Sequence, residues 1–118
     1  MKNIYEMTDT ELVMEEGAVK SCYNREARPH PADSPIQVNH AKCEELLNTL
    51  HEIRIEMWRR GIHAPTADER AEYVEDLEDA KTALASLEGS TRTDRIYSKR
   101  FIIQECTDAL AWLDGDLK

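Results

Sequence analysis

The chain has 118 residues, a third of them charged, and a formal net charge of −9. That length bounds it to one domain with a modest core. The acid excess excludes a general nucleic-acid binder, which needs a basic face against phosphates, and a single Phe with two Trp and four Tyr suits amphipathic helices better than a β-sandwich.

The first predicted helix opens at "TDTE". Thr8 caps it, and Glu11 three residues on completes a capping box. Leu12, Val19 and Cys22/Tyr23 recur at helical spacing. The helix fades before "ARPHPADSP", where Pro29, Pro31 and Pro35 forbid continuation. Residues 1–34 thus read as an N-terminal helix and a Pro-rich linker, and 35–118 as an antiparallel helical core.

The second helix is expected from "SPIQ", with Ser34 as N-cap, Pro35 in the first helical position and Gln37 closing the box. Cys43, Leu46, Leu47, Leu50, Ile53 and Met57 form its apolar stripe. "RRG" ends it, with Arg59 and Arg60 at the negative end of the dipole and Gly61 as the left-handed cap. Those bounds give about 25 residues, roughly 37 Å.

A third capping box, Thr66 with Glu69, starts the next helix at "PTADE". Its expected buried stripe is Tyr73, Val74, Leu77, Ala80, Leu84 and Leu87, and Gly89 stops it. Residues 66–88 carry eight acids against two bases. The fourth helix is expected from Asp94 to Asp114. Ile96, Ile103, Cys106, Leu110 and Leu113 lie on one stripe, widened by Phe101, Ile102, Ala109 and Trp112. Short connections at 61–65 and 89–93 make the last three helices antiparallel neighbours. The expected fold is therefore all-α: an antiparallel three-helix unit plus an N-terminal helix. The wide apolar girth of the fourth helix points to a homo-oligomer.

Three cysteines without a CxxC pair, no apolar core in "MKNIYEMTDTEL" and no run of about 18 apolar residues read as a cytoplasmic protein with reduced thiols and no membrane segment.

One stretch runs against the acidic balance. "EGSTRTDRIYSKR", residues 88–100, gathers Arg92, Arg95, Lys99 and Arg100 with Ser90, Thr91 and Thr93 where a helix starts. Backbone N–H groups and the dipole make a helix N-terminus receptive to anions. Hydroxyls donate to phosphate oxygens, and arginines fork onto them. Cations in a first turn oppose the dipole, at a few tenths to about 1 kcal/mol each, so the pattern needs an anion, either from the acidic third helix or from outside.

Other candidates are weaker. Glu72, Glu75, Asp76 and Asp79 form an acidic face on the third helix, able to meet a basic partner surface. Its ExxE spacing is similar to that of all-α nucleotide pyrophosphohydrolases, whose carboxylates hold Mg²⁺. That chemistry needs a converging second acidic helix, and Glu45, Glu52 and Glu56 make no clean motif. His40 and Cys43, with Cys22 and His30, give half of a zinc pattern. No nucleophile motif and no Gly-rich phosphate cradle is present, so neither catalysis nor a cofactor is expected.

"DRIYSKRFIIQECTDALAWL", residues 94–113, resembles the closing helix of small phage-encoded helical hairpins that oligomerise and sequester cyclic nucleotide immune signals. The likeness lies in the Asp94-Arg95 opening, Ser98, and the Ala109-Leu110-Ala111-Trp112-Leu113 close; the centre, Ile103-Gln104-Glu105, departs from that family. The resemblance implies a phage anti-defence factor in which Arg95 and its neighbours see phosphate. With it, the expected function is non-enzymatic sequestration of a small phosphorylated signal. Ser90, Thr91, Arg92, Thr93, Arg95, Lys99 and Arg100 would hold phosphates, and Tyr97 or Trp112 would stack on a base. The alternative expectation is an acidic inhibitor or adaptor of a host defence protein, acting through Glu72, Glu75, Asp76 and Asp79.

Overall fold

The computed structural model describes residues 3–31, 33–34 and 36–117. Among them the chain is all-helical, with four α-helices and no strand: α1 Asp9–Glu26, α2 His40–Arg59, α3 Arg70–Ser86 and α4 Thr93–Leu113. None of these is long and apolar enough to cross a membrane.

Local chemistry explains most boundaries. At α1, Glu11 N–H donates to Thr8 Oγ1 (3.1 Å) and Thr8 N–H donates back to Glu11 Oε1 (3.0 Å), the reciprocal box expected there. At Thr66 the backbone N–H and the hydroxyl both donate to Glu69 Oε1 at 2.9 Å. That box closes a 3₁₀ turn, Ala67–Glu69, which runs straight into α3. Gly61 takes φ +79° beyond α2. Its N–H reaches Trp58 O, and Ile62 N–H reaches Met57 O, the paired bonds of a Schellman stop that only glycine enters without strain.

The start of α2 departs from expectation. Ser34 is not its cap; its Oγ accepts from Ile36 N–H in a local turn. Residues 36–39 stay out of the helix, Asn39 Oδ1 accepts from Lys42 N–H at 2.9 Å, and α2 begins at His40. Pro35 lies outside the described residues. The helix is therefore 20 residues long, about 30 Å.

Packing joins two pairs. α1 lies on α2, α3 lies on α4, and contacts between α2 and α4 connect them. Leu12 and Tyr23 of α1 interlock with Cys43, Leu50, Ile53 and Met57 of α2, all almost wholly buried. Trp58 meets Trp112 edge-on at 5.8 Å at one end of α4, and Tyr23 meets Tyr97 edge-on at 5.9 Å at the other. Between them sits a charged contact the sequence pattern does not announce. Arg54 donates to Asp108 at 2.7 Å, both side chains are under 10 % exposed, and His51 Nδ1 lies 2.9 Å from the same oxygen. Arg60, expected only as a dipole partner, clamps Glu56, Asp9 and the carbonyls of Ile4, Tyr5 and Met7. It thereby pins the 3₁₀ turn Ile4–Glu6 to the end of α2.

α3 is the outlying element. Of its expected stripe only Ala80 is buried; Tyr73, Leu77, Leu84 and Leu87 are half-buried. Val74 is 46 % exposed, because it stands about 120° around the helix from Ala80 at 100° per residue. The molecule is flat, 46 × 36 × 18 Å, so its thin dimension is under two helix diameters of about 10–12 Å each.

Candidate functional site

The fold takes the basic stretch apart. Ser90 Oγ accepts from Arg92 N–H and shapes the turn into α4. Thr93 Oγ1 donates to Ala27 O at 2.7 Å and ties the start of α4 to the end of α1. Arg92 forks onto Asp94, with Nε at 3.1 Å and Nη2 at 2.9 Å. That contact holds the Asp94 carboxyl below its usual range, so the first turn of α4 carries a resident carboxylate. Arg100 pairs with Glu44 of α2 and lies over the Tyr97 ring. Arg95 and Lys99 form no ion pair among the described residues. Both line a groove of about 380 Å³ with Ser98 and, from α3, Ala83, Ser86 and Leu87.

Tyr97 and Trp112 need correction as stacking platforms. Tyr97 is 3 % and Trp112 9 % exposed, so neither ring offers a free face to a base. Tyr97 is also occupied as a fold-holder: its carbonyl accepts from the Tyr23 hydroxyl, and its own hydroxyl lies 2.5 Å from His40 Nδ1. Burial pushes the Tyr97 phenol up, so it donates as a neutral phenol. Arg95 and Trp112 stand 17 residues apart on α4, about 25 Å along its axis; one small ligand cannot touch both within a protomer.

The fold gathers a different set instead. The segment after α1 crosses over the start of α4 and leaves a cleft of about 350 Å³. Thr91, Arg92 and Thr93 form one wall, and His30, Gln37 and His40 add polar groups. Pro29, Pro31, Ile36 and Val38 supply an apolar surface. The Asn39 cap fixes where α2 starts and hence where His40 stands. The Tyr97 hydroxyl then fixes the His40 ring through Nδ1. Arg92 is 49 % exposed, its bond to Asp94 is a weak surface pair, and Nη1 has no partner among the described residues. The cleft therefore combines a re-partnerable guanidinium, a hydroxyl, two imidazoles and an amide with an apolar wall. His30, Gln37 and His40 were missed as a group. The sequence marks His30 and His40 only within half of a zinc pattern; that they share a cleft with Gln37 follows from the path of the Pro-rich segment, and nothing local says over which helix it passes.

The acids Glu72, Glu75, Asp76 and Asp79 are exposed on α3 and enter no ion pair among the described residues. Asp76 and Asp79 approach Lys99 across a shallow depression with Tyr73, Ala80, Glu105 and Cys106. They do not converge with the acids of α2, where Glu45 faces Lys42 and Glu56 holds Arg60. Cys43 is fully buried, burial pushes its thiol up, and no group of three His, Cys, Asp or Glu able to hold a metal occurs among the described residues. A scan of protein-family models, a search of curated proteins and a search of solved structures each gave no match.

Proposed function

We propose that this chain is a non-enzymatic binding protein that captures a small phosphorylated ligand in the cleft between residues 29–40 and 91–93. The observation that carries the reading is the cleft's composition: Thr91, Arg92, His30 and His40 on the polar side, prolines with Ile36 and Val38 on the other. Phosphate oxygens would accept from the Thr91 hydroxyl and from Arg92, whose exposed fork onto Asp94 leaves Nη1 to reach the ligand or is exchanged for it. The apolar wall would take a sugar or base. Arg95, Ser98 and Lys99, one to two turns along α4, form a second anion-receptive patch on the groove toward α3.

The resemblance of residues 94–113 to phage-encoded sponges refines this reading to a cyclic nucleotide signal bound stoichiometrically in the cytoplasm, as an anti-defence factor. Three unpaired cysteines support a reducing compartment. Antiparallel packing of α3 and α4 is supported by the ion pair of Arg70 with Asp114 at one end and by the groove that Leu87 and Arg95 both line at the other. A homo-oligomer is supported by the flat shape.

The test is a thermal-shift panel of cyclic and linear nucleotides. A ligand present at a hundred times its Kd stabilises by about 2.7 kcal/mol, and it should be recovered intact after heating. Arg92→Ala and His40→Ala should each abolish the shift. An inert panel, or a shift that survives both substitutions, defeats the proposal. The acids of α3, exposed and in no ion pair among the described residues, favour a second reading, an inhibitor that covers a basic protein surface. Charge reversal at Glu72, Asp76 and Asp79 would then abolish partner capture while leaving any nucleotide shift intact.

A further inference from the structure

α3 packs along α4. Along α3, Tyr73, Leu77, Ala80, Leu84 and Leu87 alternate by four and three, the a/d rhythm of packed helices. Along α4, Ile96, Ile103 and Leu110 recur every seven residues, with Cys106 and Leu113 three beyond the last two. Tyr73, Ala80 and Leu87 face Lys99, Ile102, Cys106 and Arg95 across depressions on one side of the pair. The other half of the rhythm turns to the opposite side. There Leu84 and Ile103 line an open valley of about 360 Å³ whose far wall is Leu47 and Asn48 of α2. Leu77, Ile96 and Leu110 are likewise only half-buried. By the 100° step per residue, the exposed Val74 belongs to this side of α3 as well.

We infer that this valley is the docking surface for the same face of a second copy of the chain, the two α3–α4 pairs completing a four-helix bundle about a two-fold axis. The inference deepens the oligomeric part of the reading above and does not depend on the ligand. Surface area allows that occupant. The chain exposes 7491 Å², against about 6,600 Å² for a compact monomer of its size. The excess of about 900 Å² belongs to the whole chain and is as large as the roughly 800 Å² that each partner buries in a standard interface. The radius of gyration, 15.6 Å, likewise exceeds the compact value of about 13.5 Å.

Charge permits a self-pairing that a net −9 would otherwise resist. Glu72, Glu75, Asp76 and Asp79 fall on the far flank of α3 by the same angular count, whereas Arg70 and Lys81, the only bases of residues 66–88, fall on the valley flank, where Arg70 pairs with Asp114 and Lys81 stands near Glu78 at the edge. The valley's own ions, Glu44 and Arg100, neutralise each other.

The experiment is sedimentation velocity with light scattering on the full chain across micromolar to millimolar concentration, with far-UV circular dichroism as the fold check. Wild type should reach twice the chain mass. Ile103→Glu, and independently Val74→Glu at the exposed rim, should weaken self-association by about 30-fold or more while helicity is retained. Val74→Glu decides the matter if Ile103→Glu fails to fold. Met14→Glu, at the most exposed large apolar side chain of α1 and off this face, should leave the dimer intact. A wild type that stays monomeric overturns both the inference and the oligomeric reading, and leaves the valley to a foreign helix. A dimer that survives Val74→Glu, or that Met14→Glu dissolves, overturns the surface alone.

Discussion

The buried contact between Arg54 and Asp108 allows a sharp energetic test. Both side chains are under 10 % exposed, and the Phe101 ring lies 5.5 Å from the guanidinium carbon. Removing one partner of such a pair leaves an uncompensated charge, at a cost of about 3–5 kcal/mol. The two deletions should not be equal. Asp108→Leu leaves a guanidinium that cannot lose its proton, whereas Arg54→Met leaves a carboxylate that keeps His51 at 2.9 Å. Asp108→Leu should therefore sit at the upper end of that range and Arg54→Met at or below its lower end. At about 4 °C per kcal/mol for a chain of this size, Asp108→Leu lowers Tm by about 16–20 °C. Combining both substitutions removes the two charges together and should restore stability to within about 1–2 kcal/mol of wild type, or exceed it. Urea denaturation of the four proteins in a double-mutant cycle gives the coupling directly. A cost below about 1 kcal/mol for Asp108→Leu, or a double mutant as unstable as the sum of the singles, would falsify the view that this pair is sealed from water.

Three other outcomes are expected. Asn39→Ala should cost about 1 kcal/mol through loss of the α2 cap, while Ser34→Ala stays within about 0.5 kcal/mol; equal costs in urea melts would restore Ser34 as the cap. The Glu44 carboxyl is held below its ordinary 4.5 chiefly by its hydrogen bond from Arg100, so its contribution is full above pH 4.5 and disappears as pH falls through the lower folded value. Tm against pH should thus fall less steeply in Glu44→Gln than in wild type below pH 4.5, by at most about 1 kcal/mol for so exposed a pair; parallel curves would refute the linkage. Burial, aided by Asp76 and Glu105, pushes the Cys106 thiol up to about 11, and Cys43 is raised for the same first reason. Iodoacetamide at pH 8 should label half-buried Cys22 first and reach the other two only in denaturant, and mass spectra showing Cys106 modified as fast as Cys22 would count against it.

What could be read from the residues alone was chemistry that is local along the chain. Thr8 with Glu11 and Thr66 with Glu69 lie three apart, and Gly61 stands one residue beyond its helix, so caps and stops were legible. The contact of Arg92 with Asp94 spans two residues and could have been read the same way. Charges that find partners through the fold could not. Arg54 and Asp108 meet across 54 positions, and a charged residue on a helical period reads as surface. Arg100 meets Glu44 across 56 positions. Tyr97 reads as a free aromatic beside cations, yet its place opposite His40 depends on α2 being capped by Asn39 rather than by Ser34. The cleft was invisible for the same reason: its walls come from three separated segments, and only the packing of α1 against α2 carries residues 29–40 over the start of α4.

The question raised by a basic stretch in an acidic chain divides into two physical parts. Arg92 and Arg100 are answered inside the molecule, by Asp94 and Glu44. Arg95 and Lys99 find no ion pair among the described residues, and they stand on the groove beside the flank of α3 that carries Asp76 and Asp79. The acids thus crowd one side of α3, and the valley side is left nearly neutral. Self-association through the valley brings two chains of like charge together, so screening favours it: the Debye length falls from about 30 Å at 0.01 M salt to about 8 Å at 0.15 M. Capture of a phosphorylated ligand by Arg92, Arg95 and Lys99 joins unlike charges, and the same screening weakens it. Salt therefore acts with opposite sign on the two processes, and a single titration of ionic strength separates the surface that holds a second copy from the surface that holds an anion.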